Sequence, residues 1–93
     1  MTARADAAKA AAEEAVKAND EDAIDLAYAN FELFAYTVAE YNAAIAAAAG
    51  DDVKTAKVYE AYVLLDARED MVSASQLADE KVIVTDTFDA VLA

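Results

Sequence analysis

Between Asp20 and Gly50, bulky apolar residues return every seven positions as Ile24, Phe31, Val38 and Ile45. Ala27, Phe34, Tyr41 and Ala48 follow three positions after each, and Leu26 and Leu33 widen the stripe. This spacing predicts an amphipathic helix over 20–49. Asn19-Asp20-Glu21-Asp22 supplies a capping residue and acids suited to the positive end of the helix dipole. Gly50 supplies the left-handed residue that ends such a helix.

Gly50-Asp51-Asp52 is a stop followed at once by a start, so the next helix is expected to double back as an antiparallel neighbour. A symmetric hairpin there would set Ile45 against Ala56, Val38 against Val63 and Phe34 against Ala67, large opposite small. The third helix is expected over 52–75, and it is apolar on two sides. Ala56, Val63, Ala67, Met71 and Ala74 lie on the hairpin side, while Val58, Tyr62, Leu65 and Val72 lie about 170° away. A helix of that kind is sandwiched between layers, the second layer being another segment or another copy of the chain.

The C-terminal stretch spaces Leu77, Val84, Phe88 and Val91 helically. Its run Val82-Ile83-Val84-Thr85 pulls toward strand, but nothing else in the chain offers a partner strand, so a helix over 77–92 is expected. Ser73, Ser75 and Asp79 are candidate caps for a break between the third and fourth helices. Residues 1–18 are mostly alanine, with Val16 as the one bulky apolar residue after Met1; they read as a weakly docked helix supported by a Glu13–Lys17 pair. Together these segments predict one all-α domain, an antiparallel helical hairpin or bundle of three to four helices.

Composition narrows the function. There is no proline and one glycine, which leaves few residues for loops. Histidine and cysteine are absent, removing the usual base, thiolate nucleophile and soft metal ligands. One glycine cannot build a phosphate cradle. The acids Asp20, Asp22 and Asp25 lack the glycine of a calcium-binding loop and run straight into helix. No catalytic, cofactor-binding or metal-binding residues are assigned, and the chain is expected not to be an enzyme. A net charge of −12 repels phosphate backbones and anionic membrane surfaces, excluding direct nucleic-acid binding and membrane association. No stretch is apolar enough to span a bilayer and the first residues lack a signal-peptide core, so a cytoplasmic location is expected.

What remains is binding. The expected function is non-enzymatic protein–protein interaction, with the chain itself the first candidate partner in a homo-oligomer. Val58, Tyr62, Leu65 and Val72 would form the contact and Tyr59 its rim. Tyr36 also falls away from the hairpin seam by helical phase, where tyrosine suits an interface. Glu60 is the one acid expected on the inner face of the hairpin, near Tyr41. A second reading takes the acids as phosphate mimics, as in small phage-encoded inhibitors that occupy the basic groove of a nucleic-acid-binding protein. Asp66, Asp70, Asp79 and Glu80 would carry that surface; the analogy is one of size and charge alone. A third reading is a designed or orphan scaffold with no partner, since idealised helical sequences avoid the same residues.

Overall fold

The computed structural model describes residues 3–68 and 71–93, folded into an all-α bundle with no strand among the described residues. Its helices are α1 (Ala3–Ala18), α2 (Glu21–Ala47), α3 (Asp52–Asp66) and α4 (Leu77–Leu92), the last entered through a 3-10 turn at Ala74–Gln76. The 27 residues of α2 make a rod of about 40 Å in a molecule 49 Å long. α1 doubles back along α2, and α3 packs against α2 beyond the second turn. α4 then runs antiparallel to α3 and parallel to α2, closing a three-helix bundle. Among the described residues no helix is long and apolar enough to cross a membrane.

Both tight turns are written in local chemistry. Asn19 takes a left-handed conformation (φ 56°) after α1. Its N–H bonds the Val16 carbonyl at 3.2 Å and that of Asp20 bonds the Ala15 carbonyl at 2.9 Å, a Schellman closure. Asp20 then caps α2 by accepting the Ala23 N–H at 3.2 Å. At the second turn the Asp51 N–H closes on the Ala48 carbonyl at 2.9 Å, with Gly50 third in the turn at φ 91°. A negative φ at Ala49 followed by a positive one at Gly50 is the type II pattern, which a side chain at residue 50 would strain. Asp51 caps α3 through the Lys54 N–H at 3.0 Å.

The core joins Leu33, Ala44 and Ala48 of α2 to Val58 and Tyr62 of α3, Val72 of the connection, and Val84 and Phe88 of α4. This corrects the expected hairpin register. The Tyr41 ring lies 4.4 Å from Tyr62 rather than beside Glu60, two residues further along α3 than the symmetric pairing. A shift of two positions turns a helix by about 200°. Val58 and Tyr62 therefore face inward, while Ala56, Val63 and Glu60 face water. The larger side chains take the inner side because they bury more apolar area. Within α1, Lys17 pairs with Glu14 at 4.0 Å rather than with Glu13, at the surface.

α3 also ends sooner than expected, at Asp66 instead of running to residue 75. The reason lies on α2. Asn30 is fully buried, and its Oδ1 accepts the Val72 N–H at 3.1 Å while its Nδ2 donates to the Val72 carbonyl at 2.8 Å. The amide thus satisfies both backbone groups of Val72 as a neighbouring peptide would, and holds that residue out of a helix. Nδ2 donates again to the Leu26 carbonyl at 2.8 Å, and Oδ1 accepts a second bond from the buried Arg4 guanidinium of α1 at 2.6 Å. All four hydrogen-bonding positions of Asn30 are used. α1 is thereby tied to the centre of the fold by Arg4, beside a seam that buries Ala8 and Ala15. Beyond Val72 the break falls at Ser73, whose N–H is accepted by the Gln76 side chain at 3.1 Å, before α4 begins.

Tyr62 is wholly buried, and its hydroxyl has no hydrogen-bond partner among the described residues. Burial first, then the charge of Asp66, then Tyr41 raise its phenol above the ordinary value of 10.0. The unfolded chain releases this proton near pH 10 and the folded chain keeps it longer. The contribution to stability is therefore whole below pH 10 and lost as pH rises through the folded value. Tyr62→Phe removes an unsatisfied buried hydroxyl and is expected to stabilise the fold by about 1 kcal/mol. It should also flatten the alkaline decline. Thermal melts at neutral pH and above pH 10 test both, and a less stable variant would show that the hydroxyl is productively held.

Candidate protein-binding face

α3 has an inner and an outer side, and both are apolar. Consecutive residues on a helix stand about 100° apart, so the run Val63-Leu64-Leu65 cannot turn entirely inward. Leu65 is half-buried against the core, while Leu64 is left 72% exposed. Val53 (64%) and Tyr59 (51%) are exposed with it, and Val63 opens to a smaller extent. Tyr59, Glu60, Val63 and Leu64 line a shallow apolar depression open to solvent. A second depression lies where the start of α3 meets the end of α4, with Val53 and Lys57 on one wall and Ala90 and Val91 on the other. Lys54 fixes that end by donating to the Leu92 carbonyl at 2.9 Å.

The expected contact residues are placed differently. Val58, Tyr62 and Val72 are buried in the chain's own core, and Leu65 packs against it. The layer proposed for a second copy is filled by Val84 and Phe88 of α4. Tyr59 alone among the five stands at the surface. Tyr36 is covered as well: its hydroxyl meets Thr85 Oγ1, and Lys81 Nζ lies 5.5 Å from its ring centre.

The four acids of the mimic reading do not form one exposed surface either. Asp66 is buried on the inner side of α3. Glu80 is held by Arg68 through contacts of 2.6 and 3.3 Å, which neutralises it in place. Asp79 is exposed on the first turn of α4, and Asp70 lies outside the described residues.

Val16 reaches water beside Glu13 and Lys17, and two other apolar groups reach water among acids. Val82 and Ile83 of α4 share its exposed surface with Asp79, Asp86 and Asp89. Tyr28 shares a depression with Asp25 and Glu32. The outer side of α3 differs in its balance, with Lys57 and Glu60 set into an apolar strip. Neither has an ion-pair partner among the described residues. Comparison of the chain with family models, curated proteins and solved structures gave no match.

Proposed function

We propose that the chain is a cytoplasmic, non-enzymatic protein-binding module whose contact surface is the outer side of α3. The supporting observation is Leu64. A leucine left mostly exposed costs solubility and gives nothing to the monomer's core. Val53, Tyr59 and Val63 extend it into a patch on a rigid helix, with the polar tip of a tyrosine at its border. The acidic-mimic reading draws less support, because Asp66 and Glu80 are buried or paired.

A photoreactive phenylalanine analogue in place of Leu64 tests this reading inside cells. Irradiation is expected to give one discrete adduct, and the same probe in place of the exposed Asp86 on α4 should give none. Absence of an adduct at residue 64, or equal labelling at both positions, would remove the outer side of α3 as a contact surface.

A further inference from the structure

Resting on that reading, we propose that the occupant of this face is a second copy of the same chain, with α3 packed antiparallel on α3 about a two-fold axis. Val53, Lys57, Glu60, Leu64 and Ala67 follow one another at intervals of four, three, four and three residues. That is one helix stripe of the kind that packs knobs into holes. A two-fold interface requires that whatever residue i meets, its mate meets i in return. Place the axis between residues 58 and 59, and four of the five residues of the stripe pair with one another, while Ala67 falls beside the partner's Gly50, beyond the end of its α3. Lys57 falls on the partner's Glu60, and Glu60 falls on the partner's Lys57. Val53 likewise falls on the partner's Leu64, and Leu64 on the partner's Val53.

The charge pattern of the stripe, with one cation and one anion, fits a second copy of itself. At a net charge of −12, two copies repel wherever acids dominate, as they do around Val82 and Ile83. The stripe on α3 brings one cation and one anion from each copy, so the pair can close there without gathering like charge. The two ion pairs fix register more than they add affinity, because desolvation offsets much of their attraction. Affinity comes from Val53, Leu64 and the flanking Tyr59 and Val63, which expose on the order of 400 Å² per copy. A standard interface takes about 800 Å² per partner, so association is expected to be concentration-dependent, roughly micromolar to sub-millimolar.

Sedimentation equilibrium of the full chain from low micromolar to millimolar concentration is the test. The wild type is expected to pass from monomer to dimer. Leu64→Asp, which alters an exposed residue and so leaves the circular dichroism unchanged, should remain a monomer. Lys57→Glu and Glu60→Lys each place like charges at both contacts and should weaken the dimer roughly tenfold or more. Mixing these two variants restores opposite charges at both contacts and should give a heterodimer tighter than either variant alone. A wild type monomeric at millimolar concentration would overturn the proposal, as would a mixture no tighter than its components. The photoprobe at residue 64 separates this from the broader reading. An adduct of twice the chain mass supports the second copy, an adduct of another mass overturns the second copy alone, and no adduct overturns both.

Discussion

Replacing Asn30 by alanine is expected to cost about 3–5 kcal/mol, enough to bring a domain with an ordinary 5–15 kcal/mol of stability close to unfolding. The side chain removed is one amide, but four hydrogen bonds end on it. Two of them are to the N–H and carbonyl of Val72, a residue that is itself buried. In the alanine variant both groups lose their partner away from water, and each costs about 1–3 kcal/mol. Arg4 loses its 2.6 Å acceptor at the same time, and with it a buried tether of α1 to the centre of the fold.

Urea titration followed by circular dichroism measures the total. Hydrogen exchange at Val72 and along α1 shows where the loss falls. Asn30→Asp is the informative comparison, because a carboxylate keeps the two acceptor contacts and loses the two donor contacts. It should fall between wild type and alanine. If Asn30→Ala costs less than about 1 kcal/mol, the connection between α3 and α4 is held by something other than this amide.

The same residue marks the boundary of what the sequence discloses. The helix starts and the stop at Gly50 were legible because they are local. Asp20 and Asp51 cap and Gly50 turns left-handed, and none of these depends on a distant segment; Asn19, read as part of the capping signal, instead turns left-handed to close α1. The existence of α4 was legible despite the branched run Val82–Thr85, because a strand would have lacked a mate. The facing of α3 was not legible. Both of its sides are apolar, and a change of two residues in hairpin register exchanges them. The choice was made by the combined bulk of Val58, Tyr62 and Leu65 against α2 and α4 together, a three-body fit that pairwise levels of the hairpin do not contain. The end of α3 was equally hidden, since nothing in Ala67-Arg68 breaks a helix and the cause lies more than thirty residues earlier. Asn30 and Thr37 also interrupt the apolar rhythm of α2 at buried positions, where periodicity alone reads them as surface. Thr37 is tolerated because its hydroxyl donates to the Leu33 carbonyl at 2.8 Å. The candidate face inherits this difficulty: once the inner side of α3 was misassigned, the exposed side was too, and only Tyr59 stayed at the surface in both arrangements.

Phe88→Ala should be as damaging as the loss of Asn30, by a different route. Phe88 is buried on α4, its ring 6.4 Å from that of Tyr41, in the cluster that also holds Val58, Tyr62 and Val84. Truncating a buried phenylalanine costs about 3–5 kcal/mol in lost transfer energy and cavity, and for a chain this size lowers the melting midpoint by roughly 15–30 °C. α4 has little to fall back on. It is 16 residues long and carries four β-branched apolar residues and two threonines, all poorer helix formers than alanine. A helix of that length is marginal alone, so its order derives from docking. Weakening the dock should unwind the helix as well as loosen it. Hydrogen exchange in α4 is expected to accelerate ahead of that in α2. The inner side of α3 would then be uncovered, and the variant should bind a hydrophobic dye that the wild type does not. Ile83→Ala on the exposed side of the same helix is the control, expected to be neutral or stabilising by a few tenths of a kcal/mol through helix propensity alone. Equal loss in the two variants would mean that α4 is held by its sequence rather than by the core it covers.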